Sequence, residues 1–262
     1  MIIDFHVHIS HVDDYLDPLI KNMDLVGIDR AVIFSRNSDV TAEALEMRPE
    51  RLSGFSFLNP TKGERAVEEL ERDIGERGFC GLKLGPSVDS FYPNDEKVYP
   101  IYAKAQDLQI PVLFHTGTVY RDPKNPGKTK VKYSQPIYLD DVARDFPELI
   151  LIAAHSGRPF LEQMIAVSHL PNVYVDIAWS QLPLDFYEET VRKMLLAFGP
   201  DRIIYGSDTG TRHDSYGADV DRVIKMFKET TNLLNNVIGL DHNSVAKIMG
   251  GNASRLLKKT TG

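Results

Sequence analysis

The chain has 262 residues, 42% hydrophobic and 26% charged, with a formal net charge of -7. That supplies apolar material for a sizeable core, and the acidic balance argues against nucleic acid as the main partner. A single cysteine, Cys80, excludes an internal disulfide; no apolar run approaches the roughly 20 residues of a membrane span, and no basic stretch leads into an apolar one at the N-terminus, so a cytoplasmic globule that engages no membrane is the expectation.

The first predicted element is a short apolar strand, Ile2–His8, with Asp4, His6 and His8 at alternate positions. Successive side chains of an extended strand point to opposite faces, so these three are expected on one side. Two imidazoles two residues apart can reach one cation, and imidazole ligates zinc, iron and nickel. From this segment alone, a hydrogen-bonded His pair reads equally well. Further strands are predicted at Ala31–Ser35, Leu52–Leu58, Phe79–Leu84, Pro111–Thr116, Leu149–His155, Val173–Ile177 and Arg202–Asp208. Helical spacing occupies Glu64–Arg77, Val98–Leu108, Pro136–Phe146, Phe160–His169 and Asp185–Phe198, and a final helix, Ser244–Lys258, is expected to cover one end. Gly27, Gly78, Pro147, Pro171 and the Gly199-Pro200 pair punctuate the elements. Strands alternating with helices predict an α/β chain whose parallel sheet closes into a (β/α)8 TIM barrel. No composition shift marks a second domain, so one domain over 1–262 is expected. A doubly wound open sheet is the alternative, but no Gly-rich phosphate fingerprint follows the first strand.

In such a barrel, chemistry sits at the C-terminal ends of the strands. Strand one ends on His6 and His8, strand four on Lys83-Leu84, strand five on His115, strand six on His155 and strand eight on Asp208. A single His or Asp at a strand end is more often a satisfied polar group than a ligand. Five strands ending this way are harder to dismiss, because burying so many ionisable groups without a metal or tight pairing costs several kcal/mol each. Gly81, Ala153 and Gly206, two residues below Lys83, His155 and Asp208, are expected to leave room inside the barrel for the longer side chains above them.

These residues resemble the amidohydrolase superfamily, in particular its amidohydrolase-related branch of metal-dependent hydrolases and non-oxidative decarboxylases. The resemblance rests on His6-Val7-His8, Gly81-Leu82-Lys83-Leu84, Pro111 to Gly117, Phe146-Pro147-Glu148, Ala154-His155-Ser156-Gly157, Tyr205-Gly206-Ser207-Asp208 and Gly251 to Leu257. It implies His6, His8 and Asp208 as metal ligands with His115 as a further one. In mononuclear relatives the residue at His155 stays near the metal and serves catalysis. In binuclear relatives the residue at Lys83 is carboxylated and bridges two metals, with the residues at His115 and His155 on the second ion; an uncarboxylated Lys83 would instead bind a substrate carboxylate. Zinc is the expected ion, one held tightly, with two as the alternative.

A divalent ion in such a site lowers the pKa of bound water to about 7. Asp208 is placed to take and return a proton and His155 to polarise a carbonyl, while Asp4 reads equally as fixing a ligand imidazole's tautomer or as a buried polar group bonded to backbone. The resulting expectation is metal-assisted hydrolysis of an amide, lactone or related bond, with decarboxylation on the same barrel as the rival reading. A nuclease ranks low on charge and on Lys83, and a silent scaffold is disfavoured because no ligand is missing. Arg121, Lys124, Lys128, Lys130 and Lys132 follow strand five against one acid, Asp122, which reads as attraction for a small anionic, carboxylate-bearing substrate or, nearly as well, as a solvated surface loop. Arg36 and Arg158 are candidate carboxylate clamps and Trp179 a candidate stacking residue. His213, after strand eight, is the one remaining histidine close to this face. Cys80 is expected to pack outside the barrel and to be unreactive. Homo-oligomers are common among look-alike proteins, but no interface is legible.

Overall fold

In the computed structural model, residues 1–13, 15–118, 129–178, 184–210 and 221–258 are described, without the side chains of 184, 185 and 258. Nine strands run in parallel: β1 Ile3–His8, β2 Arg30–Ser35, β3 Leu52–Leu58, β4 Leu82–Leu84, β5 Val112–Phe114, β6 Leu151–Ala153, β7 Val173–Asp176, β8 Ile203–Ile204 and β9 Thr209–Gly210. Their order is β8-β7-β6-β5-β4-β3-β2-β1-β9. β8 lies inside the predicted eighth strand Arg202–Asp208, and β9 follows just beyond its predicted end. β8 pairs with β7 and β9 with β1, and Phe5 N donates to Tyr205 O between them at 3.1 Å. The sheet therefore closes on itself as a TIM barrel, as the alternation of strands and helices predicts. Parallel strands buried on both faces explain why each reads as a continuous apolar run rather than an alternating one.

Predicted helices form at Glu64–Gly75, Tyr99–Asp107, Leu139–Asp145, Leu161–Val167 and Leu184–Phe198. Helices at Leu16–Val26, Ser38–Met47 and Arg222–Asn232 add to them. Asn37 caps the second of these, accepting from Asp39 N at 3.1 Å, as short polar side chains do for orphan donors at helix starts. The expected helix Ser244–Lys258 is interrupted: His242–Ala246 and Asn252–Lys258 are separated by a wide turn over Lys247–Gly251. Gly250 there lies so close to the N-terminal strand that a Cβ would meet Met1 O at 2.3 Å. The final helix still seals the barrel floor, with Asn252 Nδ2 donating to Ile203 O at 2.7 Å.

Two apolar clusters result. The inner one joins Ile3, Phe5, Val32, Phe34, Phe55, Leu113, Ile152 and Ile204 to Ala253 and Leu256 of the last helix, and Cys80 packs against it. This corrects the expectation that Cys80 packs outside the barrel. Its Sγ donates to Gly54 O at 3.6 Å, and burial pushes the thiol up to about 12, which keeps it protonated and unreactive. The outer cluster fills the space between strands and helices. Among the described residues no helix is long and apolar enough to cross a membrane.

Candidate active site

The first strand carries a feature that hydropathy does not reveal. Between Asp4 and Val7 the pairing with β2 slips: Asp4 faces Ala31, while Val7 faces Ile33. Three steps on β1 match two on β2, which is a β-bulge, and a bulge re-aims the side chains that follow it. Phe5 thus joins the inner apolar cluster, and His6 and His8 still turn toward the barrel axis above it. Asp4 does not share their role. Its Oδ1 accepts from Ser207 N at 2.9 Å and His6 N at 3.2 Å, so it ties β1 to the eighth strand through backbone. Burial, partly offset by Ser207, raises its pKa to about 6. The expected imidazole partner is another carboxylate, Asp176 at the end of β7, whose Oδ2 lies 2.8 Å from His6 Nδ1.

Asp208 lies at the centre of the group. Its Oδ1 is 3.5 Å from His6 Nε2 and 3.4 Å from His8 Nε2. Donor atoms of His6, His155 and Asp208 all lie within 4.8 Å of one another. Two ligands on a tetrahedral ion with bonds of about 2 Å are about 3.3 Å apart, so these spacings and this donor set of imidazoles with one carboxylate fit a divalent ion. His115 stands beside the group, its ring centroid 5.0 Å from that of His155, with its Nε2 3.1 Å from Thr118 O. Lys83 is fully buried, with Nζ 3.3 Å from His6 Nε2.

Backbone strain marks the same positions. His155, Ser156 and Asp208 have φ of 58°, 51° and 52°, a left-handed conformation that costs a non-glycine residue roughly 1–2 kcal/mol. β6 and β8 end at Ala153 and Ile204, earlier than predicted, and these turns beyond them carry His155 and Asp208 to the mouth. Strand parity was therefore an imperfect guide to the small residues. Ala153 belongs to the outer cluster rather than beneath His155. A Cβ on Gly81 would strike the Phe55 ring at 2.3 Å, so Gly81 makes room for an aromatic ring rather than for Lys83. Gly206 does serve the site, by admitting His6.

Burial governs the charges. It lowers His6 to about 3, assisted by the Lys83 charge, so that ring is neutral at physiological pH. Burial also lowers His8, and it brings His115 well below its ordinary value with help from His155. For Asp208 burial works toward protonation, but His155 and then His8 and His6 outweigh it and hold the carboxyl well below the usual range. Asp176 is lowered against the same burial cost, chiefly by His6. Lys83 is brought down to about 8 by burial, with Asp176 and Asp208 opposing.

Around this group Phe34 and Phe57 form an aromatic wall. Phe34 meets His8 edge-on at 4.6 Å and Phe57 at 5.9 Å. Arg36 lies over Phe57, 3.7 Å from its centroid, with Nη1 2.8 Å from Asp89 Oδ2. Arg158 is engaged away from the imidazoles: its Nη1 donates to Phe186 O at 2.8 Å. Lys132 stacks by Tyr133 at 4.7 Å. Trp179, His213, Arg121, Asp122, Lys124 and Lys128 lie outside the described residues. Sequence reasoning missed Asp176, although an acid closing an apolar strand was the same signal that drew attention to Asp208. It also missed Arg222, whose Nε donates to Ser207 O at 2.9 Å and whose Nη2 is 3.9 Å from Asp208 Oδ2.

The profile of the amidohydrolase family matches residues 3–259. The chain belongs to the amidohydrolase family. It is an enzyme, and relatives that it resembles are named as decarboxylases. The gamma-resorcylate decarboxylase of Rhizobium sp. (strain MTP-10005) is 21% identical over 236 residues, covering 71% of this chain and 68% of that one. The 2-amino-3-carboxymuconate-6-semialdehyde decarboxylase of Dictyostelium discoideum is 24% identical over 238 residues, covering 79% and 66%. Among solved structures, a dihydroxybenzoic acid decarboxylase from Polaromonas sp. JS666, with bound manganese and the inhibitor 2-nitroresorcinol, superposes with a TM-score of 0.70. It shares 18% identity and covers 98% of this chain and 96% of its own.

Proposed function

We propose that this member of the family is a divalent-metal-dependent, non-oxidative decarboxylase of a small, planar carboxylic acid. The observation that carries the reading is the convergence of His6, His8, His155 and Asp208 at one mouth beside a wall of Phe34 and Phe57 with the Arg36 guanidinium on it. Decarboxylase names among the relatives support it over the hydrolysis expected from sequence. His6, His8, His155 and Asp208 would hold the ion, with His115 adjacent to complete the set. The ion, when bound, supplies a Lewis acid for the substrate's oxygens.

Decarboxylation breaks the bond between the carboxylate carbon and the carbon that bears it, releases carbon dioxide, and returns a proton to the vacated carbon. The chain's residues divide this work. Arg36 and Lys83 offer positive charge to an anionic substrate. Phe34 and Phe57 pack against its flat face and exclude water. Asp208, whose carboxylate offers two oxygens, moves the proton. Arg158 and Trp179 stay as candidates for contacts farther out. Manganese in the Polaromonas structure and the donor set here both suit a divalent ion.

Product analysis with 2,6-dihydroxybenzoate and related acids tests the reading. In deuterium oxide, a decarboxylase releases carbon dioxide and leaves deuterium on the vacated carbon. Oxygen-18 from labelled water appearing in the product, without carbon dioxide, would restore hydrolysis. Chelator-treated protein is expected to be inactive until a divalent ion is returned.

A further inference from the structure

Asp176 ends β7 with both carboxylate oxygens committed to other strands. Oδ2 lies 2.8 Å from His6 Nδ1. Oδ1 accepts from His155 N at 2.7 Å and from Ala178 N at 3.0 Å. The Asp176 carbonyl accepts from Ser156 Oγ at 3.2 Å. Asp176 and His6 are both fully buried, so no solvent competes for these bonds. One side chain from a strand distant in sequence therefore touches the ring of one imidazole-bearing residue and the backbone of another.

Each contact has a directional consequence. A neutral imidazole carries its proton on one nitrogen and a lone pair on the other. A lone pair on Nδ1 facing an ionised oxygen at 2.8 Å would be repulsive. The proton therefore sits on Nδ1, and the Nε2 lone pair accepts from Lys83 Nζ at 3.3 Å, with Asp208 Oδ1 farther off at 3.5 Å. On the other side, His155 and Ser156 hold left-handed backbone, which persists only where surrounding bonds over-determine it. Two of the bonds that do so here run to Asp176, beside Arg158 N on His155 O and His155 Nδ1 on Ala178 O, each at 3.2 Å.

We propose that Asp176 is a positioning residue that fixes the coordinating tautomer of His6 and pins the left-handed turn of His155, setting both imidazoles for one ion. The inference rests on the metal-binding part of the proposed function and is independent of which bond the enzyme breaks.

Asp176→Asn tests it with little change in volume. The amide oxygen keeps the two backbone N–H donors, because turning the NH2 toward them would oppose donor to donor. The amide nitrogen then faces His6 Nδ1 and donates to it, which forces the ring proton onto Nε2, where it blocks coordination. Manganese and zinc affinity, measured by titration against a chromophoric chelator, is expected to fall about 10–100-fold. Nitrogen-15 spectra of the metal-free proteins should place the His6 proton on Nδ1 in the parent and on Nε2 in the variant. Asp4→Asn, which alters a buried carboxylate that touches no imidazole, should leave that proton on Nδ1. Unchanged metal affinity in a folded Asp176→Asn protein would overturn the proposal. So would a parent whose His6 proton resides on Nε2, a measurement that decides the matter even if the variant does not fold. A parent that binds the ion and shows the expected tautomer, yet releases no carbon dioxide, would remove the decarboxylase reading and leave Asp176 in its role.

Discussion

Gly206 stands directly behind His6: a Cβ built on it would lie 2.7 Å from the His6 Cβ. Both atoms are anchored to backbone, so neither can swing aside as a side-chain tip would. Gly206→Ala must therefore displace β1 or the eighth strand where the two close the barrel. Overpacking of this kind typically costs about 1–3 kcal/mol. The expected outcome is a folded, less stable protein with weaker metal binding and reduced turnover. Urea denaturation and metal titration measure the two effects. Parent-like values for both would mean that the strands part here more easily than their packing implies.

The direct ligand candidates give a sharper result. His8→Ala removes an imidazole whose Nε2 is 3.4 Å from Asp208 Oδ1, and Asp208→Asn removes the carboxylate charge at the centre of the group. Each is expected to lower turnover by orders of magnitude while far-ultraviolet dichroism stays that of the parent. Retained turnover in both variants would move the chemistry elsewhere on the barrel.

Most of the architecture was legible because a parallel barrel buries each strand on both faces and so writes it as an apolar run. Every predicted strand exists, and the polar residues that close them do face one mouth. What was not legible depends on contacts between distant segments. The bulge between Asp4 and Val7 cannot be seen in hydropathy, so Asp4 was grouped with the histidines it only supports through backbone. His155 and Asp208 leave their strands in left-handed turns, a conformation that neither residue type announces. Asp176 was read as part of a core strand because its two partners, His6 and His155, lie 170 and 21 residues away. The break in the last helix at Gly250 likewise answers to the backbone of Met1, not to local propensity.

Away from the mouth, Asp73 tests whether buried charge also holds the scaffold. It is fully buried and accepts from Ser38 Oγ at 2.8 Å, from Arg77 Nη1 at 3.1 Å, and from Ser56 Oγ. It thus joins the helix Ser38–Met47, β3 and the helix Glu64–Gly75. Asp73→Ala strands two buried hydroxyls and leaves the Arg77 guanidinium with Asp39 alone, and a loss of about 3 kcal/mol is expected. Equilibrium denaturation checks it, and the metal affinity of the surviving folded protein should match the parent's. A loss below measurement error would mean that water replaces the carboxylate at no cost.

Acid stability of the metal-free protein follows from the buried imidazoles. His6 titrates near 3 in the fold against 6.5 for the ordinary side chain, and His8 and His115 are shifted in the same direction. The unfolded chain therefore takes up protons that the folded one refuses. Stability should be fully present above about pH 6.5 and should fall as pH drops from there toward 3. Denaturation midpoints of chelator-treated protein at several pH values measure this, and His6→Asn should flatten the slope. A midpoint constant between pH 7 and 5 would show that these rings are already charged in the folded state.

Arg36 carries the substrate side of the proposal. Its guanidinium is stacked 3.7 Å from the Phe57 centroid and held by Asp89, which fixes the fork in one plane at the rim of the aromatic wall. A fork fixed in this way can take a carboxylate through two parallel N–H bonds, whereas a lysine ammonium offers a point charge on a mobile stem and cannot stack in the same manner. A hydrogen bond to a charged group contributes about 1.5–3 kcal/mol, so Arg36→Met should lower kcat/KM by roughly 10- to 150-fold. Arg36→Lys should recover only part of this. If the residue binds the substrate equally in ground and transition states, the loss falls on KM with kcat unchanged; a loss confined to kcat would instead assign it to the developing charge of the reaction. A neutral ester handled as well as the free acid by the parent, with Arg36→Met indifferent to the choice, would remove Arg36 from substrate recognition and leave it as the partner of Asp89.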